Sequence, residues 1–315
     1  MSGSPGQPTM TVPQTLLFGN TRVMTLVLVA CKRYAATKYP VLILGEPGTG
    51  KTVLARYIHG LSGRTGPFVN CSIVGIPDNL EHSYLAGHVR GAFTGALSNQ
   101  MGLIEAAHRG TLFLDELGLA SGKIQGILLE LLDQGTMRRV GEARSRPVDT
   151  RLLAATNSDL KKMCDVGTFR RDLLGRFGFF QIELPPLRER RDEIPILLAH
   201  YLKLESDAIG RPKPPTLSDT VCRALLDAPW HDNVREVQSL CRYLAVQPPR
   251  DGDVELCDLP RRLLDALGTI PSLNAERSRT RRAVLELERA RGNKTLAAQA
   301  MGISRRHFYR LLDKT

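Results

Sequence analysis

From Pro40 onward, short apolar runs alternate with stretches of helical spacing: Val41–Leu44, residues 53–61, residues 111–114, Gly122–Gln134 and residues 150–156. Short apolar runs of this kind suit strands buried on both faces. Their alternation with helices predicts βαβ units around a parallel sheet. Between Pro185-Pro186 and Pro248-Pro249 the spacing is helical throughout, as in residues 194–202 and 221–226, which predicts a small helical subdomain. Residues 250–272 mix proline, glycine and charge and read as a connector with one short helix around 260–267. Beyond it, Ala283, Val284, Leu287 and Ala290 recur at three- and four-residue spacing over 279–291, and Gly292-Asn293 stop that helix. A second helix over 295–301, a turn at Gly302 and a third helix from Ser304 to Asp313 complete a helix-turn-helix pattern.

Composition narrows the class. With 315 residues, 42% hydrophobic and 24% charged, the chain is globular and large enough for two or three domains. Residues 1–8 are polar with no basic segment before an apolar stretch, and the early apolar run 23–31 is too short to span a bilayer. A cytoplasmic protein without a membrane segment is expected. The six cysteines are scattered with no CxxC pair, and no HExxH occurs, so neither a disulfide framework nor a metal held by protein ligands alone is indicated. The formal net charge is +11, and residues 274–315 alone carry 11 basic against 4 acidic side chains. That concentration suggests a polyanionic partner for the C-terminal module, the alternative being an ordinary solvated face.

Gly45, Glu46, Pro47, Gly48, Thr49, Gly50, Lys51 and Thr52 fit GxxxxGK[ST] in full, directly after an apolar run and before a helical stretch. Such glycines turn backbone N–H groups inward around phosphates at a helix N-terminus, while Lys51 reaches the β- and γ-phosphates of ATP and Thr52 holds Mg²⁺. A plain turn before a helix is the alternative. About sixty residues later, residues 111–114 form a strand ending in Asp115 and Glu116. A parallel strand delivers its last residues to the ligand crevice, so Asp115 can complete the Mg²⁺ shell and Glu116 can polarise the attacking water. Together these predict a hydrolytic ATPase.

Gly91, Ala92, Phe93, Thr94, Gly95 and Ala96 narrow this further. With the two phosphate-site motifs, the run resembles the sigma-54 activator branch of the AAA+ ATPases, the bacterial enhancer-binding proteins. There the hexapeptide caps a mobile loop that touches the sigma-54 factor of RNA polymerase, and the resemblance puts Phe93 and Thr94 at the contact. Read alone, the run is either a tip presenting one aromatic to a partner or a turn with a buried Phe. Thr156-Asn157 resembles sensor I, and residues 169–177 resemble the arginine-finger segment, with Arg170 and Arg176 at the matching positions. Such arginines act across a subunit interface on the neighbour's phosphoryl group. Residues 184–195 resemble the link into the lid, and residues 230–236 the sensor II stretch, with Arg235 coupling lid to nucleotide. Asn70 sits where the family has an asparagine that restrains the catalytic glutamate. Ala86 and Val89 replace the family's more usual aromatic and acidic residues.

The resemblance implies an α/β fold: an AAA+ P-loop parallel-sheet domain with a small α-helical lid, plus a C-terminal all-α helix-turn-helix domain of the Fis type. The expected divisions are a flexible N-terminus at 1–14, the ATPase subdomain at 15–186, the lid at 187–250, a linker at 251–273 and the DNA-binding domain at 274–315. Lys294, Thr295, Ser304, Arg305, Arg306, His307 and Arg310 would meet upstream DNA, though a helical hairpin used for dimerisation fits the same pattern. The implied function is a sigma-54-dependent activator, with ATP and Mg²⁺ as cofactors and a ring, expected to be a hexamer, that opens promoters held by sigma-54 RNA polymerase. Fewer than twenty residues precede the ATPase, so the expectation is a minimal form without an N-terminal regulatory domain, controlled by a separate inhibitory protein, a partner subunit or expression level. Two rivals remain: a motor acting on another protein or on DNA, and a DNA-binding repressor with a vestigial nucleotide site.

Overall fold

The structure is a computed structural model that describes residues 21–77, 79–247, 249, 253–267, 287, 290 and 293–301. Its centre is a five-stranded all-parallel sheet of β1 (Val41–Leu44), β2 (Phe68–Ser72), β5 (Thr111–Asp115), β8 (Arg151–Thr156) and β9 (Gln181–Glu183), in the order β2-β5-β8-β1-β9. Two short antiparallel pairs stand apart from it: β3 (Gly87–His88) with β4 (Gln100–Met101), and β6 (Thr136–Met137) with β7 (Arg146–Pro147).

Both faces of the sheet are covered, which is why its inner strands read as apolar runs and not as alternation. Val41, Ile43, Phe113, Leu153 and Ala155 pack with Met24, Val27 and Cys31 of α1 (Arg22–Ala35) and Leu54, Ala55 and Ile58 of α2 (Lys51–Leu61). Leu42, Leu112, Leu114, Leu152 and Ala154 face the other way, onto Ile124, Leu128 and Leu131 of α5 (Gly122–Gln134) and Leu173 and Phe177 of α7 (Arg171–Phe177). All six residues of β8 are buried. Among them, Arg151 spends its guanidinium on the carbonyls of Tyr34, Ala35 and Tyr39, at and beyond the end of α1. Burial pushes that arginine down to about 10.

The chain divides into two compact units. The first holds the sheet and takes residues up to Leu198 together with Trp230–Gln238. The second, drawn from Ala199–Pro229 and Ser239 onward, is helical: it includes α9 (Asp219–Leu226), N-capped by Ser218, and α11 (Arg261–Ala266). Within it Arg242 makes a two-pronged ion pair to Glu205, and a bridge joins Leu217 to Val254. Helices α8 (Ile194–Ala208) and α10 (Asn233–Val246) contribute residues to both units.

Of the expected helix-turn-helix, one helix is described, Lys294–Ala300, with the Asn293 side chain accepting from the N–H groups of Thr295 and Leu296. Ala297 and Ala298 are buried against Leu287, Ala290 and Met301. Lys294 and Thr295 are exposed on it. Ser304, Arg305, Arg306, His307 and Arg310 lie outside the described residues, as do residues 1–20. Among the described residues no helix is long and apolar enough to cross a membrane.

Candidate nucleotide site

The parallel register brings three chain reversals to one edge of the sheet. Leu44 pairs with Thr156, Leu114 with Ala154, and Ser72 with Asp115, so the loops after β1, β5 and β8 leave side by side. Thr156 ties them together. Its carbonyl accepts from Gly45 N at 3.3 Å, and its buried hydroxyl accepts from Gly118 N at 3.3 Å and Ser158 N at 3.0 Å.

The loop from Gly45 to Gly50 is held open by its own chemistry. Gly48 and Gly50 have φ of 74° and 105°, in the left-handed region where a side chain is strained. A Cβ on Gly48 would stand 2.1 Å from the carbonyl oxygen of Asp232, so this position has room for glycine alone. Buried Lys51 opens α2 and donates to the carbonyls of Gly45 at 2.9 Å and Glu46 at 3.1 Å. A buried ammonium spanning a ring of backbone, with Thr52 beside it in the first helical turn, fits the phosphates of a nucleotide.

Burial holds the Lys51 ammonium below its ordinary range, helped by the charge of Arg235 and opposed by those of Glu116 and Asp115. Glu116 stands at φ 61° and ψ 48°, a left-handed conformation that costs a non-glycine residue roughly 1–2 kcal/mol. Its N–H donates to Asp115 Oδ1 at 3.1 Å. Asn157 is exposed at the end of β8 and shares a cleft of about 610 Å³ with Gly45, Glu46, Pro47 and Glu183.

Other expected site residues stand apart from this cluster. Arg170 is paired with Asp172 at 2.7 Å and Arg176 with Asp133 at 2.6 Å, each arginine half-exposed. Arg170 holds the Asp172 carboxyl at about 2. Asn70 is exposed on the edge strand β2, level with Phe113, and among the described residues no hydrogen bond joins it to Glu116. The segment from Gly91 to Ala96 closes on itself, through Gly91 N to Ala96 O at 2.9 Å and Ala96 N to Phe93 O at 3.0 Å. Thr94 is exposed at its tip, and Ala92 packs close to Gly141. Ala86 is buried, and Val89 N donates to Val140 O at 3.0 Å.

The site also contains residues to which sequence reasoning gave no role. Asn233, Arg188 and Arg190 all bond to the phosphate loop or its carbonyls. They lie inside two segments that the resemblance singles out, 184–195 and 230–236, but their partners are more than 140 positions away.

A doubly covered parallel sheet with this loop after β1, two acids at the end of β5 with β8 between the two strands, and a separate helical unit defines a P-loop NTPase of the AAA+ class. The family described as the sigma-54 interaction domain matches residues 17–183, and that described as the AAA+ ATPase lid domain matches residues 188–272. The chain belongs to the family of sigma-54-dependent transcriptional activators. The Psp operon transcriptional activator of Escherichia coli is 36% identical over 317 residues, covering 95% of this chain and 97% of that one. The phenol regulator MopR of Acinetobacter guillouiae is 38% identical over 289 residues, 87% of this chain and 51% of its own length. The chain spans about half the length of several such relatives, including the acetoin dehydrogenase operon activator AcoR of Bacillus subtilis, at 48%. Among solved structures, NtrX from Brucella abortus in complex with ADP superposes with a TM-score of 0.73 at 27% identity, covering 94% of this chain and 69% of that one. Its ATP complex gives 0.72 over 96% and 70%.

Proposed function

We propose that the protein hydrolyses ATP between the subunits of a ring and uses the cycle to open promoters held by sigma-54 RNA polymerase, bound to upstream DNA through its C-terminal module. The observation that carries the reading is the loop of residues 45–50 spanned by Lys51, at the sheet edge where β5 ends in Asp115 and Glu116, in a chain that also presents Phe93 and Thr94 on a closed surface turn. NtrX, a structural neighbour, has been solved with both ATP and ADP, which supports a nucleotide in this loop.

The roles follow from position. The backbone of Gly45 to Gly50 and the Lys51 ammonium bind the phosphates, and Arg235, whose charge acts on Lys51, couples lid to nucleotide. Glu116 takes a proton from the attacking water, its Cα set at the end of β5 in a left-handed backbone conformation. Asn157 orients that water from the end of β8. Thr52 and Asp115 are the side chains that would hold Mg²⁺, which when bound neutralises charge on the transferring phosphoryl group. Arg170 and Arg176 are exposed, so each is available to a neighbour's site after leaving its own acid. Asn70 restrains Glu116 only in a state other than the one described.

Pull-down of purified sigma-54 with ATP, with ADP and without nucleotide tests the whole reading. Capture that depends on the nucleotide supports it; absence of capture in all three contradicts it.

A further inference from the structure

Two short segments grip the phosphate loop along residues 46–49. Arg188 makes a two-pronged pair to Glu46, at 2.9 Å and 2.6 Å. Asn233 Nδ2 donates to Glu46 Oε2 at 3.1 Å and to Pro47 O at 3.0 Å, while its Oδ1 accepts from Leu187 N at 2.7 Å. Val234 N donates to Gly48 O at 3.0 Å, and the buried Arg190 donates to Thr49 O at 3.1 Å. Asn233 is fully buried and left-handed at φ 51°, a conformation asparagine tolerates better than most residues. Its amide satisfies one acceptor site and both donors, a pattern that neither Asp nor Leu reproduces.

Glu46 is out of place for a direct nucleotide contact. A carboxylate on a loop that receives a polyanion repels it, unless something cancels its charge. Arg188 does so, and holds the Glu46 carboxyl at about 2, well below its ordinary value. We propose that Arg188 and Asn233 are positioning residues that hold residues 46–48 in the phosphate-ready shape, and that Glu46 is the handle they grip and not a nucleotide ligand. This rests on residues 45–52 being the ATP site. Phosphate binding and the placement of residues 187–190 and 233–234 are then linked, because one set of hydrogen bonds serves both.

The test uses the full chain in two measurements. In nucleotide-free protein, amide hydrogen exchange over residues 45–50 is expected to rise several-fold in Arg188→Ala and in Asn233→Asp, with Thr111–Asp115 unchanged. Asn233→Asp keeps the acceptor for Leu187 N and the left-handed tolerance but sets a second carboxylate against Glu46, so the unchanged exchange over Thr111–Asp115 is what separates loss of grip from loss of fold. In the second measurement, Arg188→Ala raises the ATP Kd by about three- to tenfold and the ADP Kd by less, because the bare Glu46 carboxylate repels the more highly charged nucleotide more strongly. Adding Glu46→Gln to Arg188→Ala removes that charge without restoring the grip, so the ATP Kd stays at least about threefold above wild type. Unchanged exchange over 45–50, or a double variant that binds ATP as wild type does, overturns the proposal. Wild type that binds no ATP would overturn the nucleotide site instead, and the exchange result still decides the grip.

Discussion

The ring of Phe93 meets the imidazole of His88 edge-on, with centroids 5.0 Å apart and planes inclined by 65°. His88 is buried, and its Nδ1 lies 2.7 Å from Ser83 Oγ. The aromatic of the surface turn is thus parked on a fixed imidazole, and it keeps 37% of its surface exposed. Phe93 is therefore exposed and not a buried turn residue, with its ring resting edge-on against His88.

On the proposed contact with sigma-54, the Phe93 ring would leave His88 and give up one aromatic pairing. Replacing His88 with Ala removes an interaction of about 0.5–1.5 kcal/mol, so binding of sigma-54 without nucleotide should rise about two- to tenfold. Fluorescence anisotropy of labelled sigma-54 measures it, and unchanged affinity would show that the parking of the ring has no role.

Glu116→Ala should keep ATP binding, because Lys51 and the loop backbone are untouched, and lose turnover by about 10²–10⁴-fold. Parallel binding and phosphate-release assays check this. Turnover within a few-fold of wild type would remove Glu116 from the chemistry.

Arg176→Ala should also bind ATP and fail to hydrolyse it, since Arg176 pairs with Asp133 and, among the described residues, makes no hydrogen bond to its own subunit's nucleotide loop. Mixing Arg176→Ala with Glu116→Ala subunits recreates interfaces with one intact Glu116 and one intact Arg176. Some activity should therefore return, where removal of a group acting in the ring costs about 10³-fold or more. A mixture as inert as its components would place Arg176 outside the neighbour's site.

The Glu46–Arg188 pair also sets a pH dependence. Its folded-state carboxyl is lowered from 4.5 to about 2, so the pair contributes stability above pH 4.5 and loses it as pH falls from 4.5 towards 2. Both partners are about four-tenths exposed, so solvent discounts the contribution. Wild type should melt about 1–3 °C above Glu46→Gln at pH 7, a gap that narrows below pH 4.5. A gap constant across that range would contradict the pairing.

Arg305 and Arg306 test the C-terminal module. Their replacement by Ala should weaken DNA binding and lower the slope of log K against log salt by about one for each phosphate that is no longer neutralised. ATP hydrolysis should stay within about twofold, since the nucleotide loop is elsewhere in the chain. Equal loss of hydrolysis would favour the hairpin reading, in which this segment serves dimerisation.

What could be read in advance follows the range of the interactions. Strands β1, β5 and β8 announce themselves as apolar runs because both sheet faces are covered, and α5 coincides with the expected Gly122–Gln134. The phosphate loop is a local motif whose glycine positions require left-handed backbone, so Gly48 and Gly50 carry their own signal. Strand β9 has three residues, too few to show a period. The grip of Asn233 on Pro47 joins positions 186 apart, and the pairing of Arg176 with Asp133 spans 43; neither leaves a local trace. The left-handed backbone of Glu116 is likewise set by its surroundings, since glutamate has no preference for it.

The most direct test is open-complex formation on a sigma-54 promoter with purified polymerase, ATP and the protein, comparing wild type with Thr94→Ala. Wild type should open the promoter, while Thr94→Ala should hydrolyse ATP within about twofold of wild type and lose at least about tenfold in opening. Equal opening by both, or hydrolysis by wild type with no opening at all, would contradict the activator account.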